Sequence, residues 1–580
     1  MEHLSNIRHT LAHLLAKASK EHYPGALLTL GPAIDNGFYY DIDFGTEKIS
    51  DEDLEKIEKT MKKNLSGWKE FTHKEVLESE AREYFAGNVY KLELIDEIIA
   101  RGEKITLYTC GDFTDLCRGG HIENPAKEIS IDSFKLDRVA GAYWRGDEKN
   151  KMLTRIYGLA FEDKEKLDAY VLQQEEAKKR DHRKIGKELK LFTISDLVGP
   201  GLPLLHPKGM IIRKEIEDYL WDLHKNKGYD RVWTPHIAKQ SLYETSGHAA
   251  KFGNELFKVK GGDEEFFMKP MNCPHHMQIF SDNQFSYRDM PVRYFEPATV
   301  YRYEKAGQLS GLTRVRAITQ DDGHLFCRVS QIEEEVSTIV SIIKSFYTTM
   351  GMMNEYRVTL SVRGDDKSKY LGDDEIWNKA EETLESSAKE NGLNYKIARD
   401  EAAFYGPKLD FIFKDAIGRE WQLATIQCDF NLPERFELKF INERGEEEKP
   451  VVIHRAISGS IERFMGVMIE HFAGAFPVWL SPIQVIILPI SKHQKKYADE
   501  IFKSLQKNNV RVEIDNSNES LGKRIRNAKM QKVPYLIVIG DKERDAGTIT
   551  VEGRTEKLEA ISLEKFLEKL QSEISNKTLN

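Results

Sequence analysis

Between Gly158 and Gly186 the chain runs LAFEDKEKLDAYVLQQEEAKKRDHRKI, without a glycine or a proline and in alternating blocks of charge. A stretch of this kind reads as a solvent-exposed connecting helix over 161–186, a spacer between separately packed bodies. A chain of 580 residues divided in this way cannot close around one core, and its length suits three or four domains.

The segments on either side of the spacer carry different patterns. Residues 1–160 open on the helix-like HTLAHLLAKASKEHY and continue through mixed strand and helix signals to AGAYWRGD, which predicts an α+β domain. Residues 187–480 hold one long helix, MIIRKEIEDYLWDLHKNKG. It is followed by β-rich runs such as PVRYFEPATVYRYE, LTRVRAITQ and KLDFIFKDAIGREWQLATIQCDF, with few crossover helices between them. An antiparallel sheet is expected there. Residues 481–580 alternate instead: IQVIILPI, KKYADEIFKSLQKN, VRVEID, LGKRIRNAKMQK, PYLIVIG. That βαβαβ order predicts an α/β domain with a parallel or mostly parallel sheet. The fold class is therefore multidomain, α+β and α/β.

Charge separates the tail from the rest. The net charge of −9 argues against a protein that coats nucleic acid over its whole surface. From residue 481 onward, however, 18 Lys and Arg stand against 14 Asp and Glu, and Lys523, Arg524, Arg526, Lys529 and Lys532 cluster on one expected helix. A basic helix beside such a sheet suits contact with a phosphate backbone. No apolar run approaches the roughly 18 residues of a membrane helix, and the polar N-terminus MEHLSNIRHTLAHLL carries no export signal. Five scattered cysteines (Cys110, Cys117, Cys273, Cys327, Cys428) fit a reducing compartment, so a cytoplasmic location is expected.

One of those cysteines stands in MNCPHHM, two residues before His275 and His276. Thiolate and imidazole are zinc ligands, but three such neighbours along a short stretch cannot all turn toward one ion. Any partners of Cys273 must come from elsewhere, and spacing does not say where. A second set, His9 and His13 four apart on a helix with Cys117 and His121 at the same spacing, is compatible by residue type with a metal or with a cluster of buried polar groups.

Longer motifs carry a resemblance. WTPHI (233–237), YRYEKAGQLSGLTRVRAITQDDGHLF (301–326) and GSIERF (459–464) resemble motifs 1, 2 and 3 of class II aminoacyl-tRNA synthetases. Together with KPMNCP, TQDDGH, FYGPKLDF and VVIHRA they resemble the threonyl-tRNA synthetase family, and HTLAH and DLCRGGH resemble its editing domain. The resemblance implies an editing domain over 1–160, a class II antiparallel-sheet catalytic domain over 187–480 and an anticodon-binding domain over 481–580. It implies a threonine-tRNA ligase that forms threonyl-adenylate from L-threonine and ATP and transfers the amino acid to threonine tRNA, working as a homodimer without a membrane partner.

Residue by residue, the resemblance implies one Zn²⁺ per chain on Cys273, His324 and His454. Gln320, Asp322, Tyr405 and Gln427 would line the threonine pocket. Arg302 and Arg463 would be the catalytic pair, holding the α- and γ-phosphates of ATP with Mg²⁺, and Glu304, Arg314, Ile318 and Gln422 would surround the nucleotide. His9, His13, Lys91, Asp115, Cys117 and His121 would hydrolyse mischarged seryl-tRNA at a metal-free site. Arg524, Arg526, Glu543 and Arg554 would contact the tRNA.

Four features depart from the family pattern. The chain corresponds to a form lacking the N-terminal ubiquitin-like domain. Ile318 stands where a phenylalanine usually stacks on adenine. Gly120 replaces a usual proline, which is expected to loosen its loop. Glu552 stands where an arginine is usual, with Arg554 expected two residues on along the same strand face.

Overall fold

The computed structural model describes residues 2–579. The chain divides into two compact units, Met1–Glu176 and Ala177–Asn580.

In the first unit the helix Glu2–His22 buries Leu11, Leu14, Leu15 and Ala18 together with Thr10 and His13. It packs with the helix Leu54–Leu65 on an antiparallel sheet ordered Leu27–Leu28, Gly37–Asp43, Met152–Ala160, Phe134–Tyr143. A second sheet of Phe71–Val76, Ile105–Cys110 and Phe113–Leu116 carries the helix Val89–Ala100 beside it. This is the α+β arrangement expected of the N-terminal segment.

The second unit is built on eight strands in the order Tyr229–Arg231, Val292–Tyr301, Ala317–Cys327, Val451–Ser460, Glu420–Asp429, Lys408–Lys414, Tyr356–Val362, Tyr395–Arg399. The pairings through the middle are antiparallel, and only the two edge pairs are parallel. The helices Pro207–Lys225, Ile332–Thr349, Asp374–Glu390 and Ile461–His471 cover one face and supply its main hydrophobic core. Covering one face leaves the other for polar side chains.

The C-terminal sheet runs Val512–Ile514, Val485–Pro489, Tyr535–Ile539, Ile549–Gly553, Lys557–Ile561. Its first three strands are parallel, as the alternation predicts, and the last two form an antiparallel hairpin that the alternation did not include.

The expected single helix over 161–186 is two. Lys164–Arg180 ends before Asp181, whose side chain accepts from the Arg183 amide and starts a new helix, His182–Glu188. Capping of this kind redirects a chain without any glycine or proline. The second helix buries His182 and Ile185 in the core of the larger unit.

Candidate active site

On the face of the eight-stranded sheet opposite those four helices, alternation fixes which side chains emerge together. Ile318, Gln320, Asp322 and His324 lie two apart on Ala317–Cys327 and line one cavity of about 310 Å³. Gln422, Thr425 and Gln427 on Glu420–Asp429, His454 and Ser458 on Val451–Ser460, and Tyr405, Arg302 and Arg463 complete its walls. The structure thus gathers into one cavity ten of the residues expected at the threonine, ATP and metal sites. Glu304 and Arg314 stand outside the lining, joined in an ion pair of 2.8 Å.

Cys273 opens the helix Cys273–Ser281 directly behind this cavity, fully buried. His324 and His454 are directly opposed in adjacent strands, and a ligand atom of each lies within 4.8 Å of the other and of the Cys273 sulfur. Burial pushes the Cys273 thiol up and the His324 imidazole well below its ordinary range, so these two groups are neutral when unligated. A buried thiolate requires a cation beside it. The hydrogen bonds leave room for one: His454 Nε2 is 2.8 Å from Asp429 Oδ2, while its Nδ1 is buried without a partner. Two imidazoles and a thiolate with an open position are a donor set that zinc takes.

Around this triad, Asn272 donates to Asp322 (3.0 Å) and Tyr405 to Gln427 (2.6 Å), which fixes both pocket groups. Burial raises the Asp322 carboxyl. Arg302 lies over the Phe252 ring and Arg463 donates to the Thr313 carbonyl (3.0 Å), and burial lowers both. Desolvated guanidinium groups of this kind gain most from an anionic ligand. His248, fully buried with Nε2 3.6 Å from the Cys273 sulfur, was not among the expected residues. It is isolated in SGHAAKF, and nothing in that stretch marks it.

The first unit holds a second polar cavity of about 470 Å³, lined by His9, His13, Lys91, Asp115 and Cys117. His9, His13, Cys117 and His121 bring one ligand atom each within 4.8 Å of one another, and His121 Nε2 is 3.3 Å from the Cys117 sulfur. Lys91 pairs with Asp115 at 2.5 Å, and Tyr40 donates to the same carboxylate at 2.6 Å. Burial, reinforced by His13 and His9, takes His121 down to about 2, and burial takes the Cys117 thiol up to about 11. The cluster is neutral imidazoles and a thiol, suited to orienting water rather than to attack by sulfur. Gly120 is more than loosened: its φ of +84° and that of Gly119, +98°, lie where proline cannot go. A Cβ at Gly120 would lie 3.6 Å from His9 Nδ1, so the loop passes beside that ring.

The C-terminal residues differ from expectation. Arg524 is only 4% exposed and donates to the Asp515 and Pro489 carbonyls, which removes it from any ligand-facing surface. Arg526, Lys523 and Lys532 are exposed. Glu543 caps its own turn through the Gly540 amide and accepts from Thr550. Arg554 lies beyond the strand that ends at Gly553, so it does not share a strand face with Glu552, and its guanidinium donates to the Ala475 and Phe476 carbonyls. Glu552 pairs with Lys529 at 2.5 Å.

Three family models match the chain: the tRNA synthetase class II core domain (G, H, P, S and T) over 257–472, the anticodon binding domain over 484–573, and the threonyl and alanyl tRNA synthetase second additional domain over 105–157. A threonine–tRNA ligase of Flavobacterium johnsoniae is 47% identical over 98% of this chain and 88% of its own length. One of Rubrobacter xylanophilus is 46% identical over 99% and 89%. Among solved structures, the RNA binding domain of threonyl-tRNA synthetase from Cryptosporidium parvum is similar at a TM-score of 0.65 and 35% identity, covering 68% of this chain and 98% of that one. A putative threonyl-tRNA synthetase from Aeropyrum pernix is similar at 0.60 and 30%, covering 69% and 96%.

Proposed function

Because the chain belongs to the threonine–tRNA ligase family, we propose that its central cavity is where threonine is activated with ATP, and that the buried Cys273, His324 and His454 triad selects the amino acid. The chain is an aminoacyl-tRNA ligase with a class II core, an anticodon-binding domain and the additional domain associated with editing. No helix among the described residues is long and apolar enough to cross a membrane.

The observation that carries the site assignment is the placing of the triad and of Arg302 and Arg463 around one cavity. Threonine and valine are nearly isosteric, and an apolar pocket separates a methyl from a hydroxyl poorly. Zinc on the triad would supply a Lewis acid that takes both the amino and hydroxyl groups of threonine, which valine cannot satisfy. Asp322, held by Asn272, accepts from the side-chain hydroxyl, and Gln320, Tyr405 and Gln427 line the rest of the pocket. Arg302 and Arg463 orient the phosphates for in-line attack of the threonine carboxylate on the α-phosphorus, the α–β phosphoanhydride bond breaking as pyrophosphate leaves; Mg²⁺ bound with ATP would share the charge. No protein nucleophile is needed. Ile318 and Gln422 contact the nucleotide, and the Glu304–Arg314 pair closes over its base. The product is threonyl-adenylate, passed to the 3′ end of threonine tRNA held by Arg526 and the exposed lysines of the C-terminal domain. Serine carries the same amino and hydroxyl groups and lacks one methyl, worth only about 1 to 3 kcal/mol, so errors are cleared hydrolytically by His9, His13, Lys91, Asp115, Cys117 and His121. The enzyme acts as a cytoplasmic homodimer.

The test is amino-acid-dependent pyrophosphate exchange with threonine, serine and valine, run beside metal analysis. About one zinc per chain and exchange with threonine and serine but not valine are expected. Normal threonine activation by Cys273→Ala or His454→Ala would overturn the triad's role.

A further inference from the structure

The ring of His324 is held from behind. Its Nδ1 lies 2.7 Å from Nδ1 of His276, and Nε2 of His276 lies 3.0 Å from Oε2 of Glu296. A carboxylate only accepts, so with both imidazoles neutral the proton on His276 Nε2 points to Glu296 and His276 Nδ1 accepts from His324. That order leaves His324 Nε2 without a proton.

The chain of bonds continues behind Glu296. The Thr234 amide donates to its Oε1 (2.7 Å) and the Thr234 hydroxyl to its Oε2 (2.9 Å), while Lys269 Nζ is 2.8 Å from that hydroxyl and 3.9 Å from the carboxylate. All five side chains are buried: His276 and His324 are at most 1% exposed and Thr234, Lys269 and Glu296 at most 3%. Thr234 belongs to WTPHI and Lys269 to KPMNCP, the motif that also carries Cys273, so two motifs distant in sequence from His324 converge on that ligand. His275, the other half of the histidine pair, takes no part; its ring nitrogens are buried without partners.

We infer that His276 is a positioning residue for the metal triad: backed by Glu296, Thr234 and Lys269, it fixes the tautomer and ring angle of His324 so that Nε2 faces the ion. The inference rests on the reading of Cys273, His324 and His454 as ligands. A ligating imidazole whose other nitrogen is hydrogen-bonded is oriented and more basic, and loss of such a partner typically costs 10- to 100-fold in metal affinity. Asp429 does the same for His454 in one bond, whereas His324 receives its carboxylate through an intervening imidazole.

The experiment uses the full chain and metal ions alone. Zinc affinity is measured by competition with a chromophoric chelator, and the Co²⁺-loaded protein gives a visible spectrum that reports ligand geometry without any turnover. His276→Leu is expected to bind zinc 10- to 100-fold more weakly and to shift the cobalt bands. His276→Gln, whose amide can accept from His324 and donate to Glu296, should recover part of the loss. Glu296→Gln keeps volume and acceptor but not charge, and should weaken zinc by up to about tenfold. It decides the matter if His276→Leu does not fold. Parent-like zinc affinity and cobalt spectrum in a folded His276→Leu protein, or in Glu296→Gln when the leucine variant is unfolded, would overturn the proposal. If Cys273→Ala also bound zinc as the parent does, the ligand assignment itself would fall instead.

Discussion

Acid should unfold the N-terminal unit before it harms the C-terminal domain. His13 is held well below its ordinary value of 6.5 by burial, with His9 and Lys91 adding to the effect, and His9 and His121 are lowered mainly by burial as well. In the unfolded chain each imidazole binds a proton below about 6.5, whereas in the fold uptake is moved to lower pH, well below for His13 and to about 2 for His121. Depressed folded values of this kind mean that the stabilisation is full above 6.5 and is lost as the pH falls from there toward the folded value. One fully buried histidine loses about 1.4 kcal/mol at pH 5.5. His121 is partly exposed and is counted at half, which brings it and His13 to about 2 kcal/mol, a large share of a domain's 5–15 kcal/mol, with His9 acting in the same direction. The Asp43 and Asp53 carboxyls of the same unit are lowered too, so they add their loss only below about 4. Hydrogen exchange followed by mass spectrometry on the full chain reads the effect. After correction for intrinsic exchange, protection of the slowest amides in Glu2–His22 should fall about thirtyfold between pH 7 and 5.5. The strand Val485–Pro489, whose domain carries a single histidine, the exposed His493, serves as the control. His13→Leu should flatten the slope. Equal changes in helix and control, or less than a threefold loss in the helix, would refute the reasoning.

Three further outcomes are expected. Ile318→Phe should lower the apparent KM for ATP, since a base stacked on a ring gains about 1–3 kcal/mol; an unchanged or higher value in pyrophosphate exchange would show a pocket rebuilt around isoleucine. Gly120→Pro cannot keep a φ of +84°, so the loop beside the His9 ring must change its path, and seryl-tRNA deacylation should drop at least tenfold while threonine activation holds. Arg524→Ala should destabilise the C-terminal domain by about 1–3 kcal/mol by leaving two buried carbonyls unpaired, whereas Arg526→Ala should leave melting unchanged and reduce the salt dependence of tRNA binding by about one charge.

What the sequence revealed follows from the range of each interaction. The alternation of Ile318, Gln320, Asp322 and His324 is local, and a strand's period of two puts them on one face wherever that strand lies. The metal triad is not local. Cys273 meets His324 and His454 because two strands far apart in sequence pair with those histidines opposite each other, a register that no spacing rule contains and that family resemblance alone supplied. The break at Asp181 was readable in principle, since Asp followed by a helical run is a capping signal, but the absence of glycine and proline masked it.

Arg524 shows a subtler limit. A count of cations on LGKRIRNAKM makes all of them solvated, yet Leu521, Arg524, Ile525 and Ala528 recur at helical spacing, and that stripe is the face turned to the sheet. An arginine on such a stripe must find acceptors inside the fold, and the ends of two neighbouring segments provide them. The same periodicity puts Lys523, Arg526 and Lys529 on the other side, where Lys529 is already engaged by Glu552. Lys523 is likewise paired with Glu519 at 2.9 Å, so net charge overstates the cations open to RNA on this helix, and Arg526 is the one whose removal should register in binding.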